Sequence, residues 1–182
     1  MTQDNLKLGI IVGTTRKGRV TPQVAEWVLK QAQERTHDYE LLDIKDYELP
    51  LLGETDAKEN VKQWQDALAK LDGFVFVTAE YNHSLPAALK NAIDSPAPDK
   101  AWYNKAAAIV SHGSAGGTRA TEHLRGVLNE IMIADVRAHV FFSMFDDFDD
   151  GTFSPREPHK KSLKTLFSQL EAWAGALKPL RK

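Results

Sequence analysis

The amino-acid sequence predicts an α/β protein with a three-layer, doubly wound, five-stranded parallel sheet in the order 2-1-3-4-5. Three observations carry this. Short apolar runs alternate five times with stretches whose apolar residues recur at helical spacing, the pattern of a parallel sheet with helices on both faces. The central run, Phe74-Val75-Phe76-Val77-Thr78, is continuous rather than alternating, as a strand covered on both sides requires. Right-handed crossovers leave few topologies, and for five strands this order is the common one. Its switch point lies between strands one and three, and ligands in such sheets bind at the carboxyl ends of the strands there. The loops after strands one, three and four should therefore line one crevice.

Taken in order, Leu6 to Val12 is strand one, and Gly13 to Arg19 is a turn. Thr21 then reads as a helix N-cap with Pro22 at the favoured first position, and Val24, Trp27, Val28 and Ala32 form the apolar face. Tyr39 to Ile44 is strand two, and Asp46 to Thr55 a loop. Val61, Trp64, Leu68 and Leu71 mark helix two. Strand three leads into Ala79-Glu80-Tyr81-Asn82-His83, after which Ser84 can cap a helix with Pro86 in its first turn. Leu85, Ala88, Leu89, Ala92 and Ile93 give that helix one apolar face, and Ser95-Pro96-Ala97-Pro98 ends it. Ala106 to Val110 is strand four, followed by a glycine-rich loop, Ser111 to Gly117. Leu124, Val127, Leu128 and Ile131 mark helix four, and Val136 to Phe142 is strand five. Asp146 to Pro158 is an acidic, aromatic loop before a last amphipathic helix carrying Leu163, Leu166, Phe167, Leu170, Trp173 and Leu177. Trp27, Trp64 and Trp173 are expected in the core, while Trp102 and Tyr103 are undecided between surface, interface and core.

A chain of 182 residues is long enough for one domain with a sizeable core, and a single domain over 1–182 is the expectation. A net charge of −2 offers no basic footprint for nucleic acid or acidic membranes. The absence of cysteine removes disulfides, thiolate nucleophiles and thiolate metal sites, and is compatible with the cytoplasmic location expected here. The polar start, MTQDNLKLG, lacks the regions of a signal peptide, and no apolar run approaches the roughly 20 residues of a membrane span. Redox chemistry in this chain would need a cofactor.

The first loop combines the Thr14 and Thr15 hydroxyls, two glycines and a helix N-terminus, with Arg16 and Arg19 beside them. Free N–H groups and guanidinium donors suit phosphate oxygens, although an ordinary turn with exposed arginines has the same composition. The loop matches neither the Walker A pattern nor GxGxxG. The second loop places a carboxylate (Glu80), a flat aromatic (Tyr81), an amide (Asn82) and an imidazole (His83) where a planar heterocycle could be packed and hydrogen-bonded, or where polar side chains could simply cap backbone. The glycines of the third loop let backbone approach a ligand closely, as they would in a flexible turn. Together the loops suggest a ligand with a phosphate at one end and a planar ring at the other.

Gly13-Thr14-Thr15-Arg16, Glu80-Tyr81-Asn82-His83-Ser84 with Leu89-Lys90-Asn91-Ala92-Ile93-Asp94, and Ser111-His112-Gly113-Ser114-Ala115-Gly116-Gly117 resemble the NADPH-dependent FMN reductase family. The similarity runs from strand one to about strand five. It implies a flavodoxin-like fold and an activity among the quinone, azo-dye and chromate reductases. By this resemblance Thr14, Arg16 and the turn through Val20 would hold the FMN phosphate, with Thr15 and Arg19 in the same turn. Glu80, Tyr81, Asn82 and His83 would flank the isoalloxazine ring, and Ser111, Gly113, Gly116 and Gly117 would border its other side. Thr14 departs from a frequent serine but keeps the hydroxyl, and Ala79 stands where the family usually has proline. A homodimer or homotetramer is the implied assembly.

The reaction so implied is hydride transfer from NADPH or NADH to FMN, then two-electron delivery to a small acceptor such as a quinone, with ping-pong kinetics and no side chain assigned as catalytic acid or base. A flavodoxin-type electron carrier shares fold and FMN, but such carriers have an arginine-free phosphate loop and a strongly acidic surface. An esterase reading rests on His112 to Gly116 as an oxyanion loop, and lacks a downstream GxSxG. Asp146, Asp150, Gly151 and Glu157 fall at EF-hand spacing, but Phe148 occupies a position that needs an oxygen ligand, so calcium is rejected. Arg119 is read as an exposed helix arginine rather than a nicotinamide-phosphate ligand.

Overall fold

The computed structural model describes residues 5–54 and 58–181. The first four residues of the polar start, and Thr55 at the end of the loop predicted from Asp46, lie outside them. Five parallel strands, β1 (Lys7–Val12), β2 (Asp38–Asp43), β3 (Gly73–Ala79), β4 (Lys105–Gly113) and β5 (Ile133–Ser143), form one sheet in the order β2-β1-β3-β4-β5. This is the predicted doubly wound, flavodoxin-like order. Around it stand α1 (Thr21–Ala32), α2 (Lys58–Ala69), α3 (Ala87–Asp94), α4 (Pro98–Ala101), α5 (Thr118–Glu130) and α6 (Pro158–Leu177).

Side chains of a strand alternate between faces, and the two cores follow that period. Leu8, Ile10, Val12, Val75 and Val77 meet Val24 and Val28 of α1 and Leu166, Phe167 and Leu170 of α6. Ile11, Phe74 and Phe76 point the other way, onto Trp64 and Leu68 of α2, Leu89 and Ile93 of α3, and Leu124 and Leu128 of α5. Every residue of β3 is buried, as its continuous apolar run predicts.

Several local expectations are corrected. Thr21 is not the N-cap of α1; Val20 holds that position, and Thr21 is buried in the first turn. Its hydroxyl lies 2.9 Å from His112 Nε2, a partner that outcompetes local capping. Ser84 does not cap α3, which starts at Ala87 after Pro86 in extended conformation. The Ser84 hydroxyl instead meets His123 Nδ1 at 2.9 Å. Strand β4 runs on through Ser111, His112 and Gly113, which pair with Phe141, Phe142 and Ser143 of β5. The third loop is therefore only Ser114 to Gly117. Leu71 is buried but lies beyond α2. Trp173 is 47% exposed rather than in the core, and Trp102 is fully buried, donating through its indole to Ile93 O at 3.0 Å. The acidic loop contains a two-stranded hairpin, β6 (Phe148–Asp149) and β7 (Thr152–Phe153). Among the described residues no helix is long and apolar enough to cross a membrane.

Candidate active site

The carboxyl ends of β1, β3, β4 and β5 are stitched to one another just beyond the ladder. Gly13 N donates to Val77 O at 2.8 Å, Glu80 N to His112 O at 2.9 Å and Met144 N to Gly113 O at 3.0 Å. The chain exits are thereby fixed side by side, and they build a crevice of about 250 Å³. Its wall includes Arg16, Gly18 and Arg19 from the first loop with Val20 after it, Glu80 and Tyr81 from the second, Gly113 at the end of β4, Ser114 from the third, and Met144 after β5. A larger cleft of about 440 Å³ lies between the Ile44–Leu51 connection and α3. Thr15 of the first loop lines it, but no residue of the second or third loop does, so the smaller crevice is the one the topology makes.

Thr14 is fully buried, and its Oγ1 has no hydrogen-bond partner within the chain. Buried hydroxyls almost always have one, which sets this atom apart. It belongs to the loop that leads into α1, whose N-cap makes no side-chain hydrogen bond; in the first turn Pro22 has no N–H and Gln23 N donates to Val20 O at 3.0 Å. Thr15 and Arg16 are exposed, and the Arg16 guanidinium stands 5.2 Å from the centre of the Tyr81 ring. Arg19 turns away to Asp43, bonding both carboxylate oxygens at 2.7 and 2.5 Å, and also reaches Thr14 O. Its charge is thus balanced within the chain, and Asp43 serves this arginine.

Tyr81 and Ser84 exchange backbone hydrogen bonds of 2.9 and 3.0 Å around Asn82 and His83. Both central residues have positive φ, 45° and 73°, as in the two-residue turns that match strand twist. This holds Asn82 and His83 exposed at the tip. The Glu80 side chain, in contrast, is only 5% exposed. Its carboxylate accepts Arg119 N at 3.1 Å and pairs with the Arg119 guanidinium, tying the second loop to the start of α5. Burial raises the pKa of Glu80, but the Arg119 side chain and backbone N–H groups outweigh it and hold the carboxyl below its ordinary range. Arg119 is therefore a structural partner of Glu80.

Ser111 is buried, donating to Gly116 O at 2.8 Å and accepting from Thr121 at 3.1 Å. Gly113, Gly116 and Gly117 keep the loop against the sheet: a Cβ on Gly113 would stand 3.1 Å from Glu80 Cβ. His112 is pushed down to about 4 by burial, so its imidazole is neutral near pH 7. Its hydrogen-bond partner is the Thr21 hydroxyl rather than a serine. Sequence reasoning missed Thr21 and Met144 as parts of this wall, while His112 lines it as part of the stretch expected there.

A family description, NADPH-dependent FMN reductase, matches residues 6–147 and so spans every strand of the sheet. The chain belongs to that family. With membership come FMN as cofactor and NAD(P)H as electron donor. An NAD(P)H-dependent FMN reductase of Schizosaccharomyces pombe is 37% identical over 131 residues, covering 66% of this chain and 64% of that relative. A 2-hydroxy-1,4-benzoquinone reductase of a Burkholderia species is 30% identical over 178 residues, 92% of this chain and 96% of that one. The flavoenzyme NAD(P)H:(acceptor) oxidoreductase FerB of Paracoccus denitrificans superposes with a TM-score of 0.77 over 94% of this chain and 98% of its own, at 23% identity, a likeness of fold. The family match ends at Asp147, so the hairpin after it and α6 lie outside it.

Proposed function

We propose that this reductase-family chain oxidises NAD(P)H and delivers two electrons to a small quinone-like acceptor, at the crevice over the ends of β1, β3 and β4. The observation that carries the reading is Thr14 Oγ1, a buried hydroxyl without a partner beside an uncapped helix N-terminus. A phosphate oxygen would satisfy that hydroxyl. Thr14, Thr15, Arg16 and the backbone through Val20 bind that phosphate, while Arg19, held by Asp43, shapes the turn. Tyr81, Asn82 and His83 face the ring, and Glu80 positions them through Arg119. Ser111 and the glycines at 113, 116 and 117 let backbone approach from the other side. Bound FMN supplies the hydride-accepting centre that no side chain here provides. Donor and acceptor take the crevice in turn, which gives ping-pong kinetics. The working unit is one FMN-binding domain over 1–182, in a cytoplasmic homodimer or homotetramer.

The test is the visible spectrum of the purified protein after adding FMN and removing the excess. Retained flavin absorbance should bleach with NADPH under anaerobic conditions and return on adding a quinone. Flavin that stays oxidised would make the chain a carrier, and no retained flavin would end the proposal. A second expectation has opposite signs in two assays. Thr14→Val removes a stranded hydroxyl, so the flavin-free protein should melt about 2–4 °C higher, for roughly 1 kcal/mol. FMN should bind about 10- to 100-fold more weakly, the loss of one hydrogen bond to a charged group. Parallel shifts in both would mean that Thr14 does not meet the cofactor.

A further inference from the structure

Met144 and Phe145 leave β5 at the mouth of the crevice. Met144 is part of the wall, and Phe145, the next residue, is 78% exposed, the most exposed large apolar side chain among the described residues. A lone exposed phenylalanine is ordinary, but this one is not loosely held. Met144 N donates to Gly113 O at 3.0 Å, Phe145 N to Ser143 Oγ at 3.2 Å, and Asp146 N and Asp147 N both reach Ser143 O. The fully buried Asp147 carboxylate accepts Ser143 N at 2.9 Å and closes the turn from beneath. The backbone on either side of Phe145 is therefore pinned, and its ring is presented to solvent beside the site.

The topology sets what it faces. Tyr81 follows β3 and Met144 follows β5, with β4 between them. Two strand spacings separate these exits, roughly 10 Å. One side carries an aromatic ring under a guanidinium, and the other a thioether and a phenyl group. Such surfaces suit a flat, apolar molecule, since thioethers and aromatic edges pack well on ring faces.

We propose that Phe145, seated by Met144 and the Asp147 clamp, is a specificity-determining residue that packs on a planar aromatic acceptor. The inference rests on the reductase reading and deepens it by assigning the acceptor class. In the net reaction a quinone takes the hydride's two electrons and one proton from NADPH, with a second proton from solvent, and leaves as hydroquinone. Two ferricyanide ions take the same two electrons, one each, and leave as ferrocyanide; ferricyanide yields no hydroquinone and has no ring to pack.

The experiment compares the FMN-loaded wild type with Phe145→Ala and Phe145→Tyr. For a naphthoquinone, Phe145→Ala should raise KM roughly 3- to 10-fold, the range of one aromatic contact, while kcat/KM for ferricyanide stays within about twofold. Equilibrium titration with redox-inert 1,4-dimethoxynaphthalene should show the same weakening, and Phe145→Tyr should restore both. Equal losses on both acceptors, no loss on either, or a changed oligomeric state in Phe145→Ala would each overturn the assignment. A wild type that retains FMN but turns over neither acceptor would remove the reductase reading and this inference with it. An active wild type with an indifferent Phe145→Ala would remove the inference alone.

Discussion

Gly117→Ala should lose FMN almost completely, with an affinity at least about 100-fold weaker, in a protein that still folds. Gly117 is the N-cap of α5, with φ of 79° and ψ of 21°. A side chain in this left-handed region costs about 1 kcal/mol before any contact is considered. Contacts add more. A Cβ there would stand 2.7 Å from Ser111 Cβ and 2.9 Å from His112 N, and neither can yield, because both belong to the buried strand β4. The loop must move instead, at a further cost of about 1–3 kcal/mol. Its movement carries the start of α5, where Arg119 N meets Glu80, and so disturbs the second loop as well. A displacement near 1 Å in a binding constellation is enough for a hundredfold loss. Gly126 is the control. It lies inside α5, where an added Cβ would meet nothing within 4 Å, so Gly126→Ala should stabilise by about 1 kcal/mol and leave the flavin in place. Equal flavin retention by the two variants would show that the third loop does not border the cofactor.

Much of this arrangement is legible in the sequence because it is local. The continuous apolar run of β3, the apolar spacing in α3 and the order of elements follow from periodicity alone, and they place the three loops together. What misleads depends on partners far along the chain. Ser111 and His112 look like loop residues because they are polar, yet Thr121 and Thr21 satisfy them inside the sheet layer. Thr21 and Ser84 carry the composition of helix caps, but each bonds an imidazole instead, 91 and 39 residues away. Arg19 and Glu80 look equally free to meet a ligand; Asp43 and Arg119 engage them. The hairpin at Phe148–Phe153 is a different case. Its turn is Asp150-Gly151, both with positive φ, and an Asp-Gly pair between aromatic residues is a direct hairpin signal in the sequence itself.

Asp147→Asn should lower stability at neutral pH by about 3 kcal/mol, a fall in Tm of about 6–12 °C. The carboxylate has no solvent exposure and accepts five hydrogen bonds: Ser143 N at 2.9 Å, Arg156 N and Nη2 at 3.2 Å, Arg156 Nε at 3.0 Å and His159 Nε2 at 2.9 Å. The loss comes less from the Arg156 charge, which is half exposed and can return to water, than from stranding N–H donors against an amide that also brings donors of its own. Burial alone would raise the Asp147 pKa, but the Arg156 side chain, the two backbone N–H groups and His159 outweigh it, and the folded value is lowered. The sign of the pH dependence follows. The contribution is fully present above the unfolded carboxyl pKa of about 3.9 and is lost as pH falls through the lower folded value. Glu80, lowered for the same kind of reason, is lost in the same direction. Thermal melts from pH 7 down to pH 2 should therefore show wild type and Asp147→Asn converging in acid. A gap that holds constant across that range would mean that the clamp acts through packing rather than charge. Because the same carboxylate seats the turn carrying Phe145, the variant should also weaken naphthoquinone relative to ferricyanide when assayed well below its Tm. Destabilisation without that shift in preference would separate the clamp from acceptor choice.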